Sequence, residues 1–145
     1  LNAGTLITTV MDIVDSDDIP TLIMDASASC HMPDLIEMPY TPPLEGALES
    51  KPGCEPFEGG EGIWVRLASR TCLAGDIIGI YRLPEMPKSG DILTFNDMAI
   101  YSMVKNNTFN GMPLPDIVLE KDVNSDDRYE LVRRFGYEDF KERLS

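Results

Sequence analysis

Short apolar segments separated by turn-forming residues dominate the pattern of this chain. Residues 4–14 alternate β-branched and apolar side chains on both sides, which predicts a strand that is buried on much of both faces. The same pattern predicts further strands at Thr21–Asp25, Ile63–Leu67, Ile77–Tyr81, Ile92–Phe95, Ile100–Val104 and Ile117–Leu119. Many short strands with little helix between them predict a β-barrel or a β-sandwich.

The segments between these strands are rich in glycine and proline. Ser27–Asp34 has small residues and a proline, so we expect a loop or a single helical turn. Tyr40–Phe57 carries so many breakers that a long surface connection is predicted. Met86–Asp91 has the composition of a turn, and Asn110-Gly111 is a strong tight-turn signal.

The last part of the chain is less regular. Tyr129–Phe135 is compatible with either a strand or a helix. After the breaker Gly136, the side chains of Tyr137, Phe140 and Leu144 fall on one face of a short helix. We expect this closing piece to contribute packing, not chemistry.

Composition and charge narrow the class of protein. The 145 residues, 43% of them hydrophobic, suffice for one domain. The formal charge of −13 argues against a nucleic-acid partner and suits cationic ligands. No apolar run approaches the ~20 residues that span a bilayer, so no membrane partner is expected. An odd set of three cysteines (Cys30, Cys54 and Cys72) favours free thiols and a cytoplasmic location.

Two stretches carry candidate chemistry. Cys72 lies in a short bend between two predicted strands, where reactive side chains are often displayed, although a lone cysteine is more commonly a small buried residue. His31, Asp34 and Glu37 are spaced three residues apart, and in a helix they would share one face. One histidine and two carboxylates arise often by chance, so we predict no metal site there.

Several motifs occur together in a recognisable order. The first motifs are Met24–Ser27, His31–Asp34 and Glu37–Tyr40. They are followed by Cys72–Asp76, Gly90-Asp91, Phe95, Tyr101 and Thr108–Gly111, and Phe135–Tyr137 lies near the end. Over nearly the whole chain this series resembles the C-terminal portion of the carboxynorspermidine (carboxyspermidine) decarboxylases. These pyridoxal phosphate enzymes of polyamine synthesis have the fold type of alanine racemase and ornithine decarboxylase.

The resemblance implies an architecture. Residues 1–145 would form the Greek-key-like β-barrel domain with a short C-terminal helix that follows a cofactor-binding (β/α)8 barrel. We expect that barrel, with the Schiff-base lysine for pyridoxal 5′-phosphate, to be missing from this chain. None of its five lysines has a context resembling that lysine (Lys51, Lys88, Lys105, Lys121 and Lys141). A homodimer is also implied, in which the Cys72 loop of one subunit completes the active site of the other.

The resemblance also implies roles for individual residues. Cys72 resembles the cysteine that protonates the substrate carbon after carbon dioxide leaves, and Tyr101 resembles the tyrosine that binds the cofactor phosphate. Asp34 resembles the acid that binds the polyamine substrate, and Glu37 is a second candidate for that role. Asp76 is expected mainly to shape the loop.

The implied function is decarboxylation of carboxynorspermidine or carboxyspermidine to norspermidine or spermidine. One alternative is another decarboxylase of the group, such as the diaminopimelate or arginine enzyme. Leu73 counts against it, because related decarboxylases carry a substrate-binding acid after the cysteine, and so does the His31–Asp34 motif. The other alternative is a non-catalytic β-barrel module, which the absence of the cofactor lysine would favour if the natural protein began at Leu1.

Overall fold

The computed structural model describes residues 3–16, 18–38, 40–52, 59–121 and 128–143. Its strands are β1 (Thr5–Val14), β2 (Thr21–Met24), β3 (Glu49–Lys51), β4 (Ile63–Ser69), β5 (Ile77–Leu83), β6 (Ile92–Asn96), β7 (Ile117–Glu120) and β8 (Tyr129–Arg133). Its short helices are α1 (Ala28–His31), α2 (Asp34–Glu37), α3 (Tyr101–Val104) and α4 (Tyr137–Lys141), with a 3-10 turn at Phe109–Gly111. The predicted mainly-β fold is confirmed.

A six-stranded sheet forms the body of the domain. Its strand order is β3-β5-β4-β2-β1-β6, in which β2 and β4 are parallel and every other neighbouring pair is antiparallel. The alternating apolar residues set the register: Leu22 lies opposite Leu67, and Leu6 lies opposite Phe95. This register places one apolar face of each strand on the inside of a curled sheet.

The segment 43–51 closes the curled sheet. At its start Leu44 pairs with Phe95 of β6, and the Glu45 amide donates to the Thr94 carbonyl at 2.9 Å. At its end the Leu48 amide donates to the Arg82 carbonyl of β5 at 2.8 Å, and β3 follows. The prediction that Tyr40–Phe57 forms no regular element is therefore wrong at β3, whereas most side chains of 43–51 are exposed as predicted, and residues 53–57 lie outside the described part of the chain. Ladder bonds and the burial of Leu44 outweigh the local breakers, since a barrel must satisfy its edge strands.

The core lies inside this curled sheet. Most of its fully buried apolar side chains come from β1, β2, β4, β5 and β6: Val10, Leu22, Met24, Val65, Leu67, Tyr81 and Phe95. Tyr81 and Phe95 meet edge to face, with their ring centroids 6.1 Å apart. Because these rings come from β5 and β6, which lie far apart in the strand order, their contact joins the two ends of the sheet.

Strand β1 is buried on one face only. The prediction that much of both faces is buried is wrong on the side of Ile7 and Met11, whose exposures are 64% and 46%. On the opposite side Thr8 and Val10 are buried. β-Branched residues on both sides of β1 predict that it is a strand, but they do not predict which side is buried. The buried side is the one that faces the inside of the curled sheet.

The apolar run after β6 is a helix, which makes the prediction of a strand at Ile100–Val104 wrong. The Val104 amide donates to the Ile100 carbonyl and the Lys105 amide to the Tyr101 carbonyl, both at 3.1 Å. Segment 43–45 already pairs with the outer edge of β6, so a strand here would have no ladder partner on that edge. Only Ser102 of the helical turn is buried.

The C-terminal part forms a separate hairpin and a helix. β7 and β8 pair antiparallel in a two-stranded sheet, which settles residues 129–133 as strand. The predicted helix after Gly136 is α4, although Leu144 lies outside the described residues. Among the residues that the structure describes, no helix has the length and apolar character needed to cross a membrane.

The closure of the barrel can be tested at Tyr81. Its buried hydroxyl donates to the carbonyl of Pro42, the residue before the closing segment, at 2.9 Å. We expect Tyr81→Phe to lower the free energy of unfolding by about 1–2 kcal/mol, because the carbonyl loses its donor in a buried place. Urea denaturation measures this difference. Tyr137→Phe, at a position with 71% exposure, is the control and should change nothing; an equal effect of both changes would contradict the closure.

Candidate functional site

The short helix α1 is the point where three loops meet. Ser27 caps it by accepting the Cys30 amide at 3.1 Å. His31 Nδ1 accepts the Ser27 amide at 3.1 Å, and its Nε2 lies 3.0 Å from the Pro113 carbonyl, to which it donates. Burial lowers the pKa of the His31 imidazole, so the neutral ring is favoured. The ring thereby ties α1 to the segment that precedes β7.

Asp76 joins α1 to the loop that carries the candidate thiol. Its buried carboxylate accepts from the Ser27 hydroxyl at 2.7 Å and from the Ser29 hydroxyl and amide, each at 3.1 Å. The Thr71 hydroxyl also donates to it. Burial alone raises the pKa of this carboxyl, but the hydrogen bonds together outweigh burial and hold the pKa below its ordinary value. The expectation that Asp76 shapes the loop is confirmed.

Cys72 is exposed at the tip of this loop. Its Sγ lies 3.6 Å from Oδ1 of Asn110, which has a left-handed backbone with φ of 57°. The loop of Asn110 is in turn anchored to α1. The Asn107 side chain donates to the Ser29 carbonyl at 2.7 Å, and the Asn107 amide donates to the Cys30 carbonyl at 3.0 Å. The thiol is thus held between two loops that share α1 as their support.

Asp34 begins α2 and is buried, with an exposure of 6%. The Tyr40 hydroxyl donates to its Oδ2 at 2.5 Å, and the Ser102 hydroxyl donates to its Oδ1 at 3.3 Å. Burial, followed by the bond to Asp34, raises the pKa of Tyr40 to about 12. Tyr40 is therefore a hydroxyl donor throughout the physiological pH range.

Glu37 shares helix α2 with Asp34, and Tyr101 shares helix α3 with Ser102. Tyr101 is on α3, beside Ser102, and is 56% exposed. Glu37 is exposed at the end of α2 and forms an ion pair with Lys105. The Lys105 ammonium also lies 5.2 Å from the ring centroid of Tyr101. The structure therefore brings Asp34, Glu37 and Tyr101 together, whereas Cys72 is brought to Asn110.

The histidine and the two carboxylates do not share one helical face. α1 ends after His31 and α2 begins at Asp34, so the chain bends between them. Within the described part of the chain, no group of three histidine, cysteine, aspartate or glutamate residues is placed to hold a metal ion. Cys54, for which no role was predicted, lies outside the described residues.

Sequence reasoning missed the partners of the predicted site residues. The sequence marks Asn110 only as a turn former within the Thr108–Gly111 motif, and Tyr40 only as the last residue of a motif. Ser102 offered one signal, since it is a polar residue inside an apolar run. Asn107 gave none, because its value lies in contacts to residues far away in the chain.

A family match accounts for this arrangement. Residues 2–99 match the family described as pyridoxal-dependent decarboxylase, C-terminal sheet domain. The chain belongs to this family. The match covers the six-stranded sheet, α1, α2 and the Cys72 loop. Tyr101 and Asn110 lie beyond its end.

Individual relatives extend the similarity over almost the whole chain. It is 38% identical over 141 residues to the carboxyaminopropylagmatine decarboxylase of Synechocystis, covering 97% of this chain and 34% of the relative. It is 34% identical over 144 residues to the carboxynorspermidine/carboxyspermidine decarboxylase of Campylobacter jejuni, covering 97% and 36%. The chain therefore spans about a third of the length of these curated relatives.

A solved structure shows the same fold. The chain superposes on carboxynorspermidine decarboxylase from Campylobacter jejuni, in a crystal structure with norspermidine, with a TM-score of 0.83. The two are 35% identical, and the match covers 97% of this chain and 38% of that chain. The curled sheet, the short helices and the C-terminal hairpin thus follow a known decarboxylase domain.

The side chains present fit the edge of a cofactor site. The exposed Tyr101 hydroxyl makes no hydrogen bond to any described residue, so it is available to a phosphate oxygen. The thiol of Cys72 is likewise exposed. Four of the lysines lie in ion pairs on this chain: Lys51, Lys105, Lys121 and Lys141. A hydroxyl and a thiol are therefore exposed in this part of the domain, whereas four of the five lysines lie in ion pairs.

Because the carboxyl group of Asp76, which supports the Cys72 loop, is ionisable, the free energy of unfolding depends on pH. The pKa of Asp76 is lower in the folded protein than its ordinary value of 3.8 in the unfolded chain. Its contribution to the free energy of unfolding is therefore fully present above pH 3.8 and is lost as the pH falls through the lower folded pKa. We expect Asp76→Asn to cost about 1–3 kcal/mol at pH 7, since buried donors lose a charged acceptor. In that variant the fall in stability below pH 3.8 should be shallower.

Urea denaturation between pH 3 and pH 7 measures both effects. Asp15→Asn, at an exposed position after β1, is the control and should leave the unfolding free energy unchanged. If Asp76→Asn kept the full acid slope of the unaltered protein, Asp76 would not be the group that titrates.

Proposed function

We propose that this domain belongs to an enzyme that decarboxylates carboxynorspermidine or carboxyspermidine to norspermidine or spermidine. The observation that supports it most is the 35% identity, over 97% of the chain, to a carboxynorspermidine decarboxylase solved with norspermidine. A buried acid beside an exposed tyrosine agrees with this substrate class. A polyamine carries ammonium groups, and a desolvated carboxylate is a strong partner for them.

The proposed enzyme has two domains. Because the chain spans about a third of its curated relatives, we assign the cofactor-binding (β/α)8 barrel and its imine-forming lysine to a part outside residues 1–145. In this proposal the enzyme is a cytoplasmic homodimer, in which the Cys72 loop completes the partner's active site. The exposed position of Cys72 and its free thiol support that role, since a proton donor must reach a substrate held elsewhere.

Each site residue has a proposed task. When bound, pyridoxal phosphate acts as the electron sink that lets the substrate carboxylate leave as carbon dioxide. Cys72 holds a proton on Sγ and donates it to the carbon that has lost the carboxylate. Tyr101 binds the cofactor phosphate through its hydroxyl, and Asp34 binds an ammonium group of the substrate. Glu37, paired with Lys105, is a weaker second contact for that amine.

A second candidate substrate follows from the Synechocystis relative. At 38% identity it acts on carboxyaminopropylagmatine, which shares a carboxylated aminopropyl group with the first candidate but ends in a guanidinium. Diaminopimelate and arginine remain less favoured, because Leu73 occupies the place of the acid that contacts those substrates. A non-catalytic module would require that Cys72 serves no proton transfer.

The role of Cys72 can be tested in the complete protein. We expect Cys72→Ala to lower kcat at least about a hundredfold with pyridoxal phosphate still bound, because positioned proton transfer contributes about 10²–10⁴-fold. Decarboxylation is followed by carbon dioxide release, and cofactor content by its absorbance. Cys54→Ala removes a thiol without a proposed role and should retain full turnover. Unchanged turnover by Cys72→Ala would remove Cys72 from the mechanism.

Substrate choice can be tested by direct comparison. We expect kcat/KM for carboxynorspermidine or carboxyspermidine to exceed that for diaminopimelate and arginine by at least about a thousandfold. The cationic ends of diaminopimelate and arginine lie nearer to the α-carbon than the terminal amine of a carboxylated triamine. A buried carboxylate placed for the longer spacing would be left without its partner, which accounts for a difference of this size. Carboxyaminopropylagmatine is included in the same series. A preference for carboxyaminopropylagmatine would establish the second candidate, and a preference for arginine or diaminopimelate would overturn both.

A further inference from the structure

Asp34 is a buried carboxylate that no cationic side chain of the described residues neutralises. It forms no ion pair with any lysine, arginine or histidine in the described ranges. Lys105, which follows the neighbouring helix α3, pairs with Glu37 instead. Buried charges are normally paired, because removing them from water is costly. A cation from outside the domain is therefore expected at Asp34.

Two hydroxyl groups fix the orientation of this carboxylate. Tyr40 donates to Oδ2 at 2.5 Å and Ser102 donates to Oδ1 at 3.3 Å, so each oxygen is held by one donor. An ionised carboxylate has about four acceptor positions. The two hydroxyls occupy two of them, and acceptor capacity remains on both oxygens for an incoming ammonium group.

Ser102 also links this acid to the candidate cofactor contact. It is the only buried residue of the helical turn α3, and it directly follows the exposed Tyr101. One side of the turn therefore holds the Asp34 carboxylate, while the adjacent residue presents its hydroxyl to solvent. Ser102 and Tyr101 are neighbours on the same turn of helix. The bond from Ser102 to Asp34 therefore sets the separation between the carboxylate and the Tyr101 hydroxyl.

We propose that Tyr40 and Ser102 are positioning residues, which orient the Asp34 carboxylate for the ammonium group of the substrate. The inference rests on the proposed function and deepens it by naming what sets the amine contact. Tyr40 acts more strongly, since a phenol hydroxyl is a more acidic hydrogen-bond donor than the aliphatic hydroxyl of serine. Through Ser102 the turn α3 keeps the amine contact at a fixed separation from Tyr101, which favours substrates with one spacing between carboxylated carbon and amine.

A purely structural role is the competing explanation. In that case the two hydroxyls only tie the segments around α2 and α3 together, and their removal lowers stability without changing amine affinity in the folded protein. A positioning role instead changes KM and leaves kcat nearly constant, because the chemical step takes place at the other end of the substrate. The two roles therefore differ in what the kinetic constants show.

The experiment uses the complete protein loaded with its cofactor. Calorimetry measures binding of norspermidine, the triamine product of the proposed reaction, to Tyr40→Phe, Ser102→Ala and Asp34→Asn. We expect Kd to rise about five- to tenfold for Tyr40→Phe, about two- to threefold for Ser102→Ala, and at least about fiftyfold for Asp34→Asn. In turnover assays, KM should rise in parallel while kcat stays within about twofold.

Tyr137→Phe is the matched control, because it removes a hydroxyl from an exposed tyrosine outside the site. Ser102→Ala provides an independent test, should Tyr40→Phe unfold the protein. An unchanged or tighter Kd in Tyr40→Phe and Ser102→Ala would overturn the inference alone. No norspermidine binding by the unaltered protein would overturn the inference together with the proposed substrate class, while the Cys72 test would still report on catalysis.

Discussion

One buried carboxylate, that of Asp76, supports the whole thiol side of the candidate site. It gathers hydrogen bonds from Thr71 at the start of the Cys72 loop and from Ser27 and Ser29 at the start of α1. The same α1 carries the bonds that anchor the loop of residues 107–111. The position of an exposed thiol therefore depends on a buried charge behind it, which explains how a surface loop can hold this side chain in place.

A second carboxylate has the opposite relation to its surroundings. Asp76 is surrounded by four donors of its own domain, whereas Asp34 has two and no cation among the described residues. A buried carboxylate whose acceptor positions are filled by donors of its own domain has a structural role. A buried carboxylate with unfilled acceptor positions is available to bind a ligand. The two acids are 42 positions apart in the sequence. Their contacts explain why Asp76 has a supporting role and Asp34 a proposed binding role.

Local pattern predicted the strands well and the closure of the barrel poorly. The apolar runs at 63–67 and 77–81 became β4 and β5, since burial on a sheet is what such runs specify. The pairing of the closing segment was not predicted because Leu44 gains its burial from a distant strand. Residues 100–104 were wrongly predicted as a strand because no strand edge is open to them. Motifs pointed to Asp34, yet its contact with Ser102 joins residues 68 apart in sequence, which no local pattern reports.

The most direct test of the central claim follows the fate of carboxynorspermidine with the complete protein and pyridoxal phosphate in heavy water. A decarboxylase whose thiol protonates the product carbon should release one carbon dioxide per norspermidine formed, with one solvent deuterium on the carbon that carried the carboxylate. Cys72→Ala should lose this product while the cofactor remains bound. Failure of the unaltered holoenzyme to release carbon dioxide from this substrate would contradict the claim.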